Sequence, residues 1–463
     1  MAKLTFHGGA LSVTGANYLI ETQKTKVLVD CGMMQGSRHA EEENYKSFPY
    51  DPSKVDAVFI THAHIDHTGR LPKLIKDGFA GPVYATEPTV ELANVMLQDS
   101  QGLIEHEAEG KHPPLYGKKD VEKTKTQFKP VKYRQEIRVN EDIRVRFRDA
   151  GHILGSAIIE LWVRENGKPF GDAQGKETKF VFSGDLGNPP TPLLNPTEFI
   201  DEADYVLVET TYGDRLHEDK AERKGILENV IEDTVTAGGT LMVPSFALER
   251  TQEMLFELNN LVENNRIPKV PVFIDSPLAI RATAVYKKHS KYFNRKAMGL
   301  VKKGDRLFEF PNLSFTMSVA ESKAINEVPP PKVIIAGSGM STGGRILHHE
   351  LRYLQDPAST ILFIGYQARG TLGRRIRDGA KSVKIYGTEV PVKCHIRSIG
   401  GYSAHADQEG LYEWIDVMRQ GGKLKKVFCV QGEEEAANAF SVRVRDNMAV
   451  DAVVPKQGDV FEF

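Results

Sequence analysis

Cysteine is scarce in this sequence. Its 463 residues include only Cys31, Cys394 and Cys429, and no two of them form a Cys-x-x-Cys pair. Small secreted proteins depend on many disulfides, and cysteine-based zinc sites depend on closely spaced pairs. The sequence therefore predicts neither a disulfide framework nor a cysteine-rich zinc site.

Long apolar runs and an excess of charge of either sign are also missing. No apolar run approaches the roughly 20 residues that span a membrane, and the N-terminus lacks the apolar core of a signal peptide. We therefore predict a cytoplasmic protein without a membrane-spanning segment. Lys and Arg number 60 against 62 Asp and Glu, whereas proteins that coat nucleic acid are typically basic. Any contact with a polyanion is therefore expected to be local.

The order of apolar segments predicts two α/β units, one of which interrupts the other. Short β-branched runs and turns fill the first part, longer helices between buried strands follow, and the β-rich pattern then resumes. We predict one domain from 1–209 and 392–463, with 210–391 as an inserted α/β domain. The charged stretch 101–133, which contains a helix-like segment, is predicted to be a surface excursion.

The clearest chemical pattern is His62-Ala63-His64-Ile65-Asp66-His67, directly after an apolar strand predicted at Ala57–Ile60. Imidazole and carboxylate are ligands that zinc takes, and alternation directs His62 and His64 to one point. Asp66 and His67 continue around the turn and can address a second ion. A polar loop with incidental histidines is disfavoured, because three of only 14 histidines fall here.

Two later segments repeat the same design of a strand followed by one ligand-type residue among glycines. His152 lies between Gly151 and Ile153 after one predicted strand, and Asp185 follows Gly184 after another. Glycine lets the backbone approach closely at such positions. We therefore predict that His152 and Asp185 complete the ligand set, and Asp185 can bridge two ions.

This pattern, with Asp30 ending an earlier strand, resembles the metallo-β-lactamase superfamily. The resemblance implies an α/β fold, an αββα sandwich with the metals at one edge of its two sheets, and Asp30 as a residue that orders the ligand loop. Later motifs resemble the β-CASP family, which includes the pre-mRNA 3′-end endonuclease and bacterial and archaeal RNA nucleases. In that family the inserted α/β domain caps the metal site and leaves a narrow cleft for a single strand. The motifs are Glu209-Thr210-Thr211-Tyr212-Gly213, Pro244-Ser245-Phe246-Ala247-Leu248, Asp275-Ser276-Pro277-Leu278-Ala279, Gly337-Ser338-Gly339-Met340, Gly370-Thr371-Leu372-Gly373 and Ser403-Ala404-His405-Ala406-Asp407.

The resemblance also implies a division of the ligands between two zinc ions. The first ion is assigned to His62, His64 and His152. The second is assigned to Asp66 and His67, with Asp185 bridging the two. It further implies a zinc-dependent ribonuclease that cleaves single-stranded RNA by metal-activated hydroxide, leaving 5′-phosphate and 3′-hydroxyl ends.

Glu209 and His405 match the next two motif positions of the family. A carboxylate that hydrogen-bonds an imidazole keeps it protonated and oriented, which suits a general acid for the leaving 3′-oxygen. The alternatives are an exposed carboxylate at a strand end for Glu209, and a helix-capping or core histidine for His405. The shared context of the motifs favours the catalytic interpretation.

Gln431 departs from the pattern, because RNA-cleaving relatives usually carry a histidine ligand there. A neutral amide is a poorer zinc ligand, so we expect the second ion to be bound more weakly. A lineage with a labile second ion, a loss of activity and an altered residue would each account for the glutamine. The intact ligands elsewhere favour the first and third.

The glutamine also keeps alternative functions open. A histidine at this position marks RNA cleavers and a valine often marks DNA cleavers, so DNA cleavage by the same site is one alternative. A weakened or inactive RNA-binding scaffold is another. A hydrolase of small esters or lactams is disfavoured, because the inserted domain would have no role in it.

A basic cluster is a candidate site for the phosphates of single-stranded RNA. Arg369, Arg374 and Arg375 surround the glycine-containing turn 370–373, which suits a phosphate cradle. Ser338, in a glycine-rich stretch before a helix, offers a second anion site. A loop without any binding role would explain the glycine-rich stretch equally well. Since members of the family often dimerise, a homodimer is also predicted.

Overall fold

The computed structural model describes residues 2–36, 42–109, 113–164, 177–217, 223–368 and 370–463. These residues form two compact units. The first unit consists of Met1–Pro189, Asn195–Leu216 and His405–Phe463, and the second of Pro190–Leu194 and His217–Ala404.

The divisions between the units fall later in the chain than the boundaries predicted at 209/210 and 391/392. After residue 209, the Gly213 carbonyl accepts a hydrogen bond of 2.7 Å from the Gln408 side chain, which keeps that segment with the first unit. The strand His395–Ser398 pairs with Thr360–Phe363, so the second unit extends beyond residue 391.

The first part of the chain alternates strands and helices in the order expected of an α/β sandwich. Its elements are β1 (Lys3–Gly8), β2 (Asn17–Glu21), β3 (Lys26–Val29), β4 (Ala57–Phe59), α1 (Ile65–Thr68), α2 (Leu71–Lys76), β5 (Val83–Thr86), α3 (Glu87–Ala108), α4 (Lys118–Gln127), β6 (Phe128–Val131), β7 (Glu136–Arg138), β8 (Ile143–Asp149), β9 (Ala157–Arg164), β10 (Glu177–Phe182) and β11 (Tyr205–Glu209).

The second unit follows, and the chain then returns to the first. The elements of the second unit are α5 (Arg223–Thr236), β12 (Thr240–Pro244), α6 (Arg250–Glu263), β13 (Val272–Asp275), α7 (Pro277–Lys288), α8 (Arg295–Lys302), β14 (Leu313–Phe315), α9 (Val319–Ala324), β15 (Lys332–Ala336), α10 (Ile346–Tyr353), β16 (Thr360–Phe363), α11 (Leu372–Arg377), β17 (Ser382–Ile385), β18 (Thr388–Pro391) and β19 (His395–Ser398). The returning elements are α12 (Gln408–Gln420), β20 (Lys426–Val430), α13 (Glu434–Met448), β21 (Asp451–Val453) and β22 (Val460–Glu462).

Two seven-stranded sheets pack face to face in the first unit. Their strand orders are β22-β1-β2-β3-β4-β5-β6 and β21-β20-β11-β10-β9-β8-β7. Alternate residues of both sheets form one buried core, which includes Phe6, Phe59, Phe147 and Phe428. Helices α12 and α13 bury apolar side chains against the outer face of the second sheet, and α3 packs against β5 and β6 of the first. The predicted αββα sandwich is confirmed.

The predicted surface excursion at 101–133 is wrong. Helix α3 continues to residue 108, and Ile104 joins a buried cluster with Leu115, Tyr116 and Val121. Tyr116 is fully buried. The many charged residues of this stretch hid its apolar face, because a few large side chains are enough to anchor a helix that is otherwise polar.

The six-stranded sheet of the second unit is parallel throughout, in the order β14-β13-β15-β12-β16-β19. Its central strands are buried, in keeping with their continuous apolar sequences. The predicted inserted α/β unit is therefore confirmed as well. Among the described residues, no helix is both long and apolar enough to cross a membrane.

Asp275, at the end of β13, holds several elements of the second unit together. Its buried carboxylate accepts hydrogen bonds of 2.7 Å from Thr316 Oγ1, Arg345 Nη1 and Ser322 Oγ, and one of 2.8 Å from His349 Nε2. Burial alone would raise the pKa of Asp275, but these bonds hold it well below its usual range. The carboxylate is therefore ionised in the folded protein at neutral pH.

Replacing Asp275 with asparagine is expected to lower the free energy of unfolding by about 3 kcal/mol, because it leaves Arg345 and His349 without their shared anion. The pKa of Asp275 is lower in the folded than in the unfolded state. Its stabilisation is thus fully present above a pH of about 4 and is lost as pH falls through the folded pKa. Urea unfolding as a function of pH measures both effects. The exposed Asp233 gives the control variant Asp233→Asn, and equal losses in both variants would contradict the assignment.

Candidate metal centre

Strand ends bring the predicted ligands to one edge of the two sheets. Asp30 follows β3, the segment from His62 to His67 follows β4, and His152 lies beyond the end of β8. Asp185 follows β10 and Gln431 follows β20. Since these strands belong to both sheets of one sandwich, residues far apart in sequence meet here.

The first group of ligand atoms converges tightly. His64 Nδ1 lies 3.0 Å from His62 Nε2 and 3.3 Å from His152 Nε2. Asp185 Oδ2 lies 3.4 Å from His62 Nε2 and 3.5 Å from His152 Nε2. All four ligand atoms lie within 4.8 Å of one another.

These separations fit one tetrahedral zinc ion. Four ligand atoms at about 2.1 Å from a single ion are separated by about 3.4 Å from one another. Burial lowers the pKa of His64 and of His152 well below the usual histidine value, so both rings are neutral at pH 7 and keep a lone pair for a metal. The donor chemistry and the geometry of this group therefore agree with a divalent metal site.

A second group of donor atoms adjoins the first and shares Asp185. His67 Nε2 lies 3.4 Å from Asp185 Oδ1 and 3.7 Å from Asp66 Oδ2. Gln431 Nε2 lies 2.8 Å from His67 Nε2 and donates a hydrogen bond of 3.1 Å to Asp185 Oδ1. Burial would raise the pKa of Asp185, but the neighbouring His67 and His62 rings hold it well below its usual range.

Asp30 fixes the loop that carries the histidines. Its Oδ1 accepts a hydrogen bond of 2.8 Å from the Thr61 backbone N–H, and its Oδ2 lies 2.8 Å from Thr61 Oγ1 and 2.7 Å from His67 Nδ1. Because Asp30 contacts Nδ1 of His67, the other ring nitrogen, Nε2, faces Asp66 and Asp185. Asp30 thus orders the ligand loop, as the resemblance implied.

Thr61 was not predicted as a site residue, although it directly precedes the histidine motif. Its hydroxyl lies 3.1 Å from His62 Nδ1 and 3.2 Å from His67 Nδ1, besides its bond to Asp30. The hydroxyl therefore orients two imidazole rings at once. The only signal in the sequence was its place between a buried strand and the first ligand.

Gly184 shows why glycine precedes Asp185. It adopts a left-handed φ of +55°, and a Cβ there would lie 2.7 Å from the Thr61 Cβ. A larger residue would push apart the two loops that carry His62 and Asp185. The predicted role of glycine as a position of close approach is supported at this point.

Glu209 and His405 form a pair beside the first group of ligand atoms. His405 Nδ1 lies 3.1 Å from Glu209 Oε1, 3.0 Å from Glu209 Oε2 and 3.9 Å from Asp185 Oδ2. The Glu209 carboxylate is fully buried and also accepts a hydrogen bond of 2.7 Å from the Leu186 N–H. Burial lowers the pKa of His405, but Glu209 raises it more, to about 9. His405 is therefore protonated at neutral pH.

The predicted phosphate-binding residues belong to the second unit. Ser338 Oγ accepts hydrogen bonds from the backbone N–H groups of Thr342 (2.9 Å) and Gly343 (3.2 Å), and so closes its own loop. Arg374 donates to Asp378 at 2.6 Å, whereas the Arg375 side chain is exposed. Arg369 lies outside the described residues. The role of these four residues in binding phosphate stays a prediction.

Comparison with family models identifies three consecutive regions of the chain. Residues 13–222 match the metallo-beta-lactamase superfamily, residues 251–376 match the Beta-Casp domain, and residues 389–455 match a Zn-dependent metallo-hydrolase RNA specificity domain. Together these matches cover both units of the structure.

Several characterised proteins are similar over nearly the whole chain. Ribonuclease TTHA0252 of Thermus thermophilus is 38% identical over 92% of this chain and 92% of its own length. An RNase J-like protein of Methanocaldococcus jannaschii is 31% identical over 99% of both chains. Transcription termination factor FttA of Methanosarcina mazei is 33% identical over 97% of this chain and 70% of its own length.

A solved structure shares the fold at much lower sequence identity. A protein of unknown function from Enterococcus faecalis is 12% identical, covers 99% of both chains and has a TM-score of 0.55. At this identity the likeness concerns the fold alone.

Proposed function

The chain belongs to the β-CASP family of the metallo-β-lactamase superfamily, whose members are metal-dependent hydrolases, and we propose that it is a zinc-dependent ribonuclease. It cleaves phosphodiesters of single-stranded RNA and leaves 5′-phosphate and 3′-hydroxyl ends. The observation that carries the proposal is the convergence of four ligand atoms beside the Glu209–His405 pair. The ribonuclease names of two relatives support RNA as the substrate.

His62, His64, His152 and Asp185 would hold the zinc ion, and Asp66, His67, Asp185 and Gln431 a second, more weakly bound cation. When bound, the metal supplies Lewis-acid chemistry, since it acidifies water and offsets charge on the phosphoryl oxygens. The carboxylate oxygens of Asp66 and Asp185 accept hydrogen bonds from the attacking water and orient it toward phosphorus.

His405 supplies the proton that the leaving group needs. Its Nδ1 is held by Glu209, so Nε2 is the atom that donates to the leaving 3′-oxygen as the P–O3′ bond breaks. Water contributes its oxygen to the new 5′-phosphate and gives up one proton to solvent by way of the Asp66 carboxylate, and the proton from Nε2 completes the 3′-hydroxyl. Glu209 acts through His405 and is a positioning residue.

Arginines and backbone donors of the second unit would bind RNA phosphates. The proposal retains Arg369, Arg374, Arg375 and Ser338 for this role, because guanidinium groups match phosphate oxygens in geometry and charge. The Asp378 carboxylate that holds Arg374 would have to exchange with an RNA phosphate. Homodimerisation and a cytoplasmic location also stay predictions.

Chelation is expected to abolish RNA cleavage by the purified protein. Labelled single-stranded RNA and DNA of the same sequence are incubated with the protein, with and without a chelator, and zinc is then restored. We expect cleavage of RNA that stops with chelator and returns with zinc, because the buried histidines and carboxylates form the cleavage site. Ligation assays and mass spectrometry identify the product ends.

Three other outcomes would contradict the proposal. Cleavage that persists in the metal-free, folded protein would exclude a metallonuclease. A preference for DNA would assign the site to DNA cleavage. RNA binding without cleavage of either nucleic acid would identify a scaffold.

A further inference from the structure

The two groups of donor atoms differ in chemical kind. Three imidazole nitrogens and one carboxylate oxygen make up the first group. The second has a single imidazole nitrogen, from His67, beside the carboxylates of Asp66 and Asp185 and the amide of Gln431. A histidine in place of Gln431 would have given the second group two nitrogens.

The terminal amide of Gln431 lies at the distance expected of a ligand to a shared ion. It is 2.8 Å from His67 Nε2 and 3.1 Å from Asp185 Oδ1. Ligand atoms around one cation at about 2.1 Å are separated by about 3.0 Å in octahedral geometry. The amide is therefore close enough to serve as a ligand to an ion held by His67 and Asp185.

The backbone of Gln431 is fixed independently of its side chain. Its N–H donates a hydrogen bond of 2.7 Å to the Gly9 carbonyl, and its carbonyl accepts one of 3.1 Å from Thr211 Oγ1. The residue is 2% exposed. A half-turn of the terminal amide exchanges nitrogen for oxygen at nearly the same place. Gln431 can therefore present an oxygen ligand without any movement of the chain.

We infer that the second position is an oxygen-rich site for a hard divalent cation of the manganese(II) or magnesium kind, whereas the first position takes zinc. Carboxylate and carbonyl oxygens suit these hard cations, while imidazole-rich sites suit zinc. The inference rests on the proposed function only in treating both groups as metal sites. It makes this a centre with two different metals, in which Gln431 determines the identity of the second.

Metal titration of the wild-type chain and two variants tests the inference without measuring activity. The metal-free protein is loaded with one equivalent of zinc and titrated with manganese(II), whose free fraction is followed by electron paramagnetic resonance. We expect one manganese bound per chain beside the zinc. Gln431→Glu should bind manganese about tenfold more tightly, because it adds an anionic oxygen, whereas Gln431→His should take a second zinc and lose about tenfold in manganese affinity.

Gln420→His is the matched control, since it adds a histidine on the exposed surface of α12 in the same unit. It should behave as the wild type in both titrations, and circular dichroism shows whether each variant is folded. Two tightly bound zinc ions in the wild type, no second ion of any kind, or identical metal preferences in all variants would overturn the inference. A protein that binds zinc and manganese as stated but cleaves no RNA would refute the proposed function and leave this inference intact.

Discussion

Asp185→Asn is expected to lower the rate of RNA cleavage by at least about three orders of magnitude. The two oxygens of Asp185 reach both groups of donor atoms, at 3.4 Å from His62 Nε2, 3.4 Å from His67 Nε2 and 3.5 Å from His152 Nε2. An asparagine removes the negative charge that both groups share and replaces one acceptor oxygen with an N–H donor. Single-turnover cleavage of labelled RNA measures the rate, and elemental analysis measures the metal content.

The control for this variant is Asp201→Asn, which removes an exposed carboxylate of the same unit. It should keep wild-type activity and metal content. If Asp185→Asn kept more than a tenth of the wild-type rate while folded, Asp185 would not be part of the cleavage site.

His405→Ala is expected to lower kcat for RNA by about 10²- to 10⁴-fold with little change in KM. The imidazole is the proton donor in the proposed reaction, and its partner Glu209 keeps it charged and oriented. Glu209→Gln should lower kcat by about 10²-fold or less, because it weakens the orientation but leaves the ring.

A substrate with an acidic leaving group separates proton donation from a purely structural role. A p-nitrophenyl phosphodiester needs no general acid, because p-nitrophenolate leaves readily without a proton. The loss caused by His405→Ala should therefore shrink by at least about tenfold with this substrate. An equal loss with both substrates would show that His405 supports the site and does not donate the proton. His395→Ala, an exposed histidine of the second unit, is the control.

Local patterns in the sequence indicated the strands and the candidate ligands, whereas the αββα arrangement was predicted from the resemblance to a known family. Apolar runs marked the strands, and ligand-type residues at the ends of β4, β8 and β10 indicated one common edge. The candidate ligands His62, His152 and Asp185 each lie three residues beyond the end of a strand, so their meeting point follows from sheet geometry. The matches to the family models support the predicted fold.

Details that depend on three-dimensional contacts could not be predicted in this way. No pattern reveals that His64 faces its neighbours through Nδ1 while His62 and His152 use Nε2. The role of Thr61 depends on the approach of Asp30, 31 residues away in sequence. The position of the Gln431 amide depends likewise on β20, a strand near the C-terminal end of the sequence.

The pairing of β20 with β11 has a consequence for the order in which the protein can mature during synthesis. Glu209 pairs in register with Val430, and ribosomes add about 5 to 20 residues per second, so β11 waits roughly 10 to 45 seconds for its neighbour. During that interval β11 is an open edge that other chains can pair with. Gln431 is missing from the nascent chain throughout this period and His405 for most of it, so the candidate metal centre and the Glu209–His405 pair are complete only once residue 431 has left the ribosome.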